Sequence, residues 1–80
     1  MRRDDIKTEL QKIFRVLFAR DSIELRDEMT AKDVPGWDSI SHISLVVSVE
    51  QRFGIMLTIK DVSGLGNVGQ LVDLIASKRG

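Results

Sequence analysis

Apolar residues recur every three or four positions in three separated stretches of this chain, and nowhere do they alternate for long enough to build a sheet. In the first stretch Ile6, Leu10, Ile13, Phe14 and Leu17 fall on one face of a helix predicted from about Asp5 to Ala19. Asp4 and Asp5 stand where an N-cap and a first-turn acid belong, favourable toward the positive end of the helix dipole. The second stretch reads Ile40, Ile43, Val46, Val47, Val49 and Phe53, with Asp38 or Ser39 as its cap and Gly54 as its stop. Its β-branched residues would suit a strand, but a length of about fourteen residues and the spacing favour helix. The third stretch, capped by Asn67, carries Val68, Leu71, Val72, Ile75 and Ala76 and runs out at Ser77–Gly80.

The connections carry their own signals. Residues 21–38 show no sustained period, and Ile23, Leu25, Met29 and Val34 are spaced like pegs that pin a long loop onto a core. Pro35–Gly36 ends that loop in a sharp turn. Ile55, Leu57 and Ile59 alternate like a short strand, but no second strand is there to pair with them, so they read as an extended connection. A short helical turn follows near Lys60–Ser63, and Gly64, Gly66 and Gly69 break the chain around Leu65 and Val68. These elements imply an all-α fold: a small bundle of three main helices plus one short helix, with residues 1–80 as a single domain. Its core is predicted to bury Leu10, Ile13, Leu17, Leu45, Val46, Val49, Phe53, Leu71 and Ile75.

Size and composition narrow the function. A chain of 80 residues hides only roughly 60% of its unfolded surface, so a deep private cavity is not expected. Twelve basic residues balance twelve acidic ones, which argues against nucleic acid as a partner. No Cys is present, which excludes a disulfide framework, a thiolate zinc site and a cysteine nucleophile, and one His cannot build the usual multi-ligand metal site. No apolar run approaches the ~20 residues of a membrane span, and none forms a signal-peptide core. The expectation is a monomeric cytoplasmic module that presents something to larger partners. The balance of charge is not uniform: residues 1–20 hold six basic side chains against three acids, and residues 21–38 hold six acids against two basic side chains. Such runs read first as solvated faces.

Ser39 stands out. It follows a Pro-Gly-Trp-Asp turn and opens a helix, so its hydroxyl should project from an exposed corner. A phosphate ester formed there would meet free backbone N–H groups and the positive dipole end. The plainer reading is that Asp38 or Ser39 merely caps the helix.

Asp38-Ser39-Ile40, preceded by Gly36-Trp37 and followed by a helix ending Val49-Glu50-Gln51-Arg52-Phe53-Gly54-Ile55, resembles the acyl carrier protein family. That family's hallmarks are Asp-Ser-Leu opening the second helix and Glu-x-x-Phe-Gly-Ile near its end, and the likeness extends over almost the whole chain. The resemblance implies that Ser39 bears 4′-phosphopantetheine, transferred from coenzyme A by a magnesium-dependent phosphopantetheinyl transferase. It implies that the arm's thiol carries acyl groups as thioesters and that Asp38 supports the transfer by helping to position metal and serine. The chain would then be a carrier with no catalytic residue of its own, and its partners would be the transferase and the enzymes that load and move acyl groups. Trp37 would close the loop against the bundle as an aromatic peg.

The departures from the family pattern shape the finer expectation. Housekeeping fatty-acid carriers are strongly acidic along the second helix. Here the corresponding places hold Ser41, Ser44, Gln51 and Arg52, and Glu50 is the only carboxylate between Ser39 and Phe53. Ile40 replaces the usual leucine, a volume-conserving swap. Ile40, Ile43 and Val47 lie on the side next to the arm, either as partner contacts or as ordinary core, and Glu50 is the charged partner contact. These features point to a specialised lipid, polyketide or peptide-hybrid pathway. The alternative is a housekeeping fatty-acid carrier whose acidic first loop supplies the negative surface. Two other classes fit less well: an unmodified helical interaction module, and a small hydrolase using Ser39 and His42. The hydrolase would have the two side chains on one helix face but lacks an orienting third group and an oxyanion hole. His42 reads instead as a surface residue beside the arm.

Overall fold

The computed structural model describes residues 2–79. Within them the chain is all-α: α1 spans Arg3–Leu17, α2 Ser39–Phe53, α3 Ile59–Ser63 and α4 Val68–Arg79, and a single 3-10 turn at Ala31–Asp33 interrupts the long first loop. Helix α1 packs against both α2 and α4.

Helix α1 starts and ends two residues earlier than its sequence pattern suggests. Its N-cap is Arg2, not Asp4, and Asp5 instead reaches back to accept the Arg2 N–H at 3.3 Å. At the other end the N–H of Arg20 bonds the Arg15 carbonyl at 3.0 Å, and the N–H of Ala19 bonds the Val16 carbonyl at 3.3 Å. This is a Schellman stop with Ala19 in the left-handed position at φ 52°. With alanine where glycine usually stands, the sequence gives no sign of the stop, and the conformation costs on the order of 1 kcal/mol.

Helix α2 begins and ends where the sequence places it. Asp38 is its N-cap and Gly54, at φ 64°, its left-handed C-cap. Arg79 at the far end of α4 donates to the Phe53 carbonyl at 2.7 Å, which satisfies another acceptor of the last turn. At α4, Asn67 Oδ1 accepts the Gln70 N–H at 2.8 Å. Gly69 does not break the chain as expected: it is the second residue of α4, buried against the first loop. A methyl group there would fall 3.0 Å from the Asp27 Cβ and 3.2 Å from the Asp27 carbonyl oxygen.

The core draws on every long segment. Ile6, Leu10 and Phe14 come from α1, Leu45, Val49 and Phe53 from α2, and Val68, Leu71, Val72 and Ile75 from α4. Leu25, Met29 and Val34 complete it from the first loop, and Ile23 packs against its edge. Ile13 and Leu17 are only partly buried, because together with Val16 they line an open cleft between α1 and α2. Val46 is also half-buried and faces α3. Helix α3 contributes no buried residue.

The first loop is held by polar ties as well as by its apolar pegs. Its carbonyls at Met29 and Asp27 accept the first two amides of α4, Val68 N–H at 2.8 Å and Gly69 N–H at 2.9 Å. Gln11 Oε1 accepts the Leu25 N–H at 2.8 Å, and Arg15 Nε donates to the Ile23 carbonyl at 2.9 Å. The basic start of the chain and the acidic loop are therefore not simply two solvated faces. Asp27 takes Arg3 at 2.9 Å and Lys7 at 2.7 Å, and Arg3 also reaches Asp73 on α4 at 2.8 Å.

Candidate functional site

The turn that delivers Ser39 is built from Val34 to Trp37. Pro35 and Gly36 occupy its two central positions, Gly36 has φ 91°, and the Trp37 N–H closes it on the Val34 carbonyl at 3.1 Å. This is the residue order of a type II turn, which needs a positive φ at the third position. Trp37 then anchors the turn. Its ring meets Phe14 edge-on at 5.2 Å and 88°, lies 6.4 Å from Phe18, and donates from Nε1 to Nδ1 of His42 at 3.1 Å. The expected aromatic peg is present.

Asp38 and Ser41 cap α2 reciprocally. Asp38 Oδ1 accepts the N–H groups of Ile40 at 3.0 Å and Ser41 at 2.9 Å, while Ser41 Oγ accepts the Asp38 N–H at 2.8 Å and donates to the Gly36 carbonyl at 2.7 Å. The bond from the Ser41 amide holds the Asp38 carboxyl below its usual range, so it is ionised at neutral pH. The sequence singles out Ser41 only as a missing carboxylate of α2, although Asp-x-x-Ser is a capping-box spacing that reveals its capping role.

Ser39 is the first residue of α2 and is exposed, with no hydrogen bond to its hydroxyl among the described residues. A phosphate ester on that oxygen fits sterically and lies at the positive end of α2. One expectation needs correcting. The amides of Ile40 and Ser41 are not free to cradle a phosphate, because Asp38 Oδ1 already takes both.

His42 is half-buried against Trp37, not free at the surface. Accepting at Nδ1 places the proton of the neutral ring on Nε2. No hydrogen bond joins His42 to Ser39 among the described residues, so the hydrolase dyad is not assembled. Nor do three His, Asp or Glu side chains converge as metal ligands among those residues, and no helix is long and apolar enough to cross a membrane.

Ile40, Ile43 and Val47 are surface, not core: they are 77%, 67% and 45% exposed, and Ile59 across from them is 89% exposed. Ile43, Val47 and Ile59 line an apolar groove of about 510 Å³ between α2 and α3, together with Val46, Leu57 and Val62. The groove starts one helical turn beyond Ser39. Glu50 is half-buried, and its Oε2 accepts the Leu57 N–H at 2.9 Å. The one carboxylate of the helix thus ties down the chain leading into α3.

A family model described as the phosphopantetheine attachment site matches residues 5–75. An acyl carrier protein of Acidothermus cellulolyticus is 29% identical over 94% of this chain and 89% of its own length. One from Exiguobacterium sp. is 28% identical over 98% of this chain and 99% of its own length. The solution NMR structure of a holo acyl carrier protein from Geobacter metallireducens is 41% identical and superposes with a TM-score of 0.86, covering 91% of this chain and 84% of that one.

Proposed function

We propose that this chain, which belongs to the acyl carrier protein family, bears its 4′-phosphopantetheine arm on the Ser39 hydroxyl, with residues 1–80 acting as one carrier domain. It is a carrier and not an enzyme, and the arm, when attached, supplies the thiol that holds acyl groups. The observation that carries the assignment to Ser39 is its placement. It is an exposed hydroxyl with no hydrogen-bond partner among the described residues, at the head of α2, next to an ionised Asp38 and inside the stretch matched by the attachment-site model. Asp38 supports the transfer from coenzyme A: two backbone amides fix its Oδ1, which sets the carboxylate beside Ser39. Its partners are a phosphopantetheinyl transferase and the enzymes that load and move acyl groups.

The pathway is a specialised one, in lipid, polyketide or peptide-hybrid assembly, and not bulk fatty-acid synthesis. Supporting this, Ser41, Ser44, Gln51 and Arg52 stand on α2 where carboxylates would attract basic partner surfaces. Intact-mass spectrometry tests the attachment. After incubation with coenzyme A, magnesium and a broad-specificity phosphopantetheinyl transferase, wild-type protein gains one phosphopantetheine and Ser39→Ala gains none. Asp38→Ala reacts more slowly with its helical spectrum retained. Modification that persists in Ser39→Ala would sink the assignment.

A further inference from the structure

We infer that Ser41 is a positioning residue for the transfer onto Ser39: its hydroxyl clamps the chain on both sides of Ser39 and so sets the direction in which the Ser39 oxygen is presented. The inference rests on Ser39 as the attachment point. Ser41 Oγ accepts the Asp38 N–H at 2.8 Å and donates to the Gly36 carbonyl at 2.7 Å, with a longer contact of 3.3 Å to the Asp38 carbonyl. The bond from the Asp38 amide belongs to the helix cap. The bond to Gly36 does not, because Gly36 lies outside α2 and its carbonyl belongs to the preceding turn. One hydroxyl therefore closes the segment from Gly36 to Ser41 into a ring, and Ser39 sits within it. Trp37, in the same ring, is held separately by its bond to His42 at 3.1 Å and its edge-on contact with Phe14.

The chemistry of the transfer depends on that direction. The Ser39 oxygen bonds to the phosphorus that bears the pantetheine, and the phosphorus–oxygen bond to the adenosine half of coenzyme A breaks. The serine proton passes to a base of the transferase, and the adenosine bisphosphate leaves. Such a displacement needs the attacking oxygen aligned with the breaking bond, and a misplacement of ~1 Å can cost about a hundredfold in rate. Ser39 makes no hydrogen bond through its hydroxyl among the described residues, so its direction is inherited from the backbone on either side. Without the Ser41 hydroxyl, the Gly36 carbonyl and the Asp38 N–H turn to water and Ser39 samples a wider range of directions. The Asp38 carboxylate stays fixed in that case, because backbone amides of Ile40 and Ser41 hold its Oδ1. Losing the Ser41 hydroxyl is thus separable from losing Asp38.

The test compares wild type with Ser41→Thr, which keeps the hydroxyl, and Ser41→Val, which has the same shape without it. Asn67→Ala, which loses the cap of α4, controls for stability. On the unmodified chain, amide exchange followed by NMR should show the Asp38 N–H exchanging about fivefold faster in Ser41→Val and at the wild-type rate in Ser41→Thr. Single-turnover transfer is then followed by intact mass, with coenzyme A, magnesium and an excess of a broad-specificity phosphopantetheinyl transferase. Ser41→Val should lose about tenfold in maximal rate, with its half-saturating transferase concentration within about twofold of wild type. Ser41→Thr and Asn67→Ala should match wild type in both. Transfer to Ser41→Val at the wild-type rate, or a loss that Ser41→Thr shares, overturns the inference. So does an equal loss in Asn67→Ala, which would trace the effect to stability alone. A raised half-saturating concentration at an unchanged maximal rate overturns it too, since Ser41 would then be a contact for the transferase and not a positioning residue. Wild type that gains no mass while a control carrier does removes the attachment reading itself, and this inference with it.

Discussion

Lys78 Nζ lies 3.0 Å from Asp61 Oδ2 and joins the last turn of α4 to α3. The same oxygen accepts the Thr58 N–H at 3.0 Å, while the Thr58 hydroxyl accepts the Asp61 N–H at 3.1 Å, so one carboxylate both caps the short helix and moors it. The Thr58 amide and then Lys78 draw the Asp61 carboxyl down from 3.8 to about 2. A five-residue helix with no buried residue depends on such ties more than on packing.

Acid should release this mooring. Because the folded pKa lies below the unfolded one, the stabilisation is fully present above about pH 4 and is lost as pH falls through about 2. Asp27, lowered chiefly by Lys7, and Asp38, lowered chiefly by the Ser41 amide, act in the same direction. Urea midpoints recorded across this range should fall with pH for wild type. The gap between wild type and Asp61→Asn should close as pH approaches 2. A gap that stays constant would show that the carboxylate contributes nothing through its charge.

The Trp37–His42 hydrogen bond can be separated from the packing of the indole ring. Trp37→Phe removes the Nε1–H but keeps an aromatic ring against Phe14, and should cost about 1 kcal/mol by urea denaturation. Trp37→Ala removes the contact with both phenylalanines and should cost about 3 kcal/mol. Equal losses for the two variants would mean that the hydrogen bond, and not the ring, fixes the turn.

At Gly69 two effects compete. Alanine inside a helix is favoured over glycine by about 1 kcal/mol. The added methyl would press on the Asp27 side chain at 3.0 Å and on its carbonyl oxygen at 3.2 Å, and that carbonyl also accepts the Gly69 N–H. The backbone contact has little room to yield, so Gly69→Ala should melt at a lower temperature than wild type. A rise in melting temperature would show that the loop moves aside freely.

The sequence carried the fold wherever a residue type states its own role. Asp38 and Gly54 bracket α2, Asn67 opens α4, and Leu25, Met29 and Val34 are pegs whose burial follows from their spacing in an otherwise polar loop. Ser39 was legible as an exposed helix head for the same reason. What was hidden depends on parts of the chain far away in sequence. Gly69 reads as a breaker until the Asp27 carbonyl is seen beside it. Glu50 reads as a surface acid until the path of the chain brings the Leu57 amide to it. Val46 reads as core by periodicity, but the neighbour it faces is a short helix that leaves it half covered. His42 reads as a surface residue because nothing local shows that the indole N–H points at its ring.

The way α3 is attached divides the molecule into two tiers of stability. Met29, Asp27, Val68 and Gly69 lock the first loop to α4, and the buried faces of α1, α2 and α4 close around that lock, so those parts come apart only together. The stretch from Ile55 to Ser63 has no fully buried residue: Ile55 and Leu57 pack against the edge of the core, and the Glu50–Leu57 and Asp61–Lys78 ties hold the rest. Burying so little, it should open at a lower free-energy cost than the three-helix core. The α3 wall of the groove should thus exchange its helical amides with water before the three long helices do, with those helices as its hinge post.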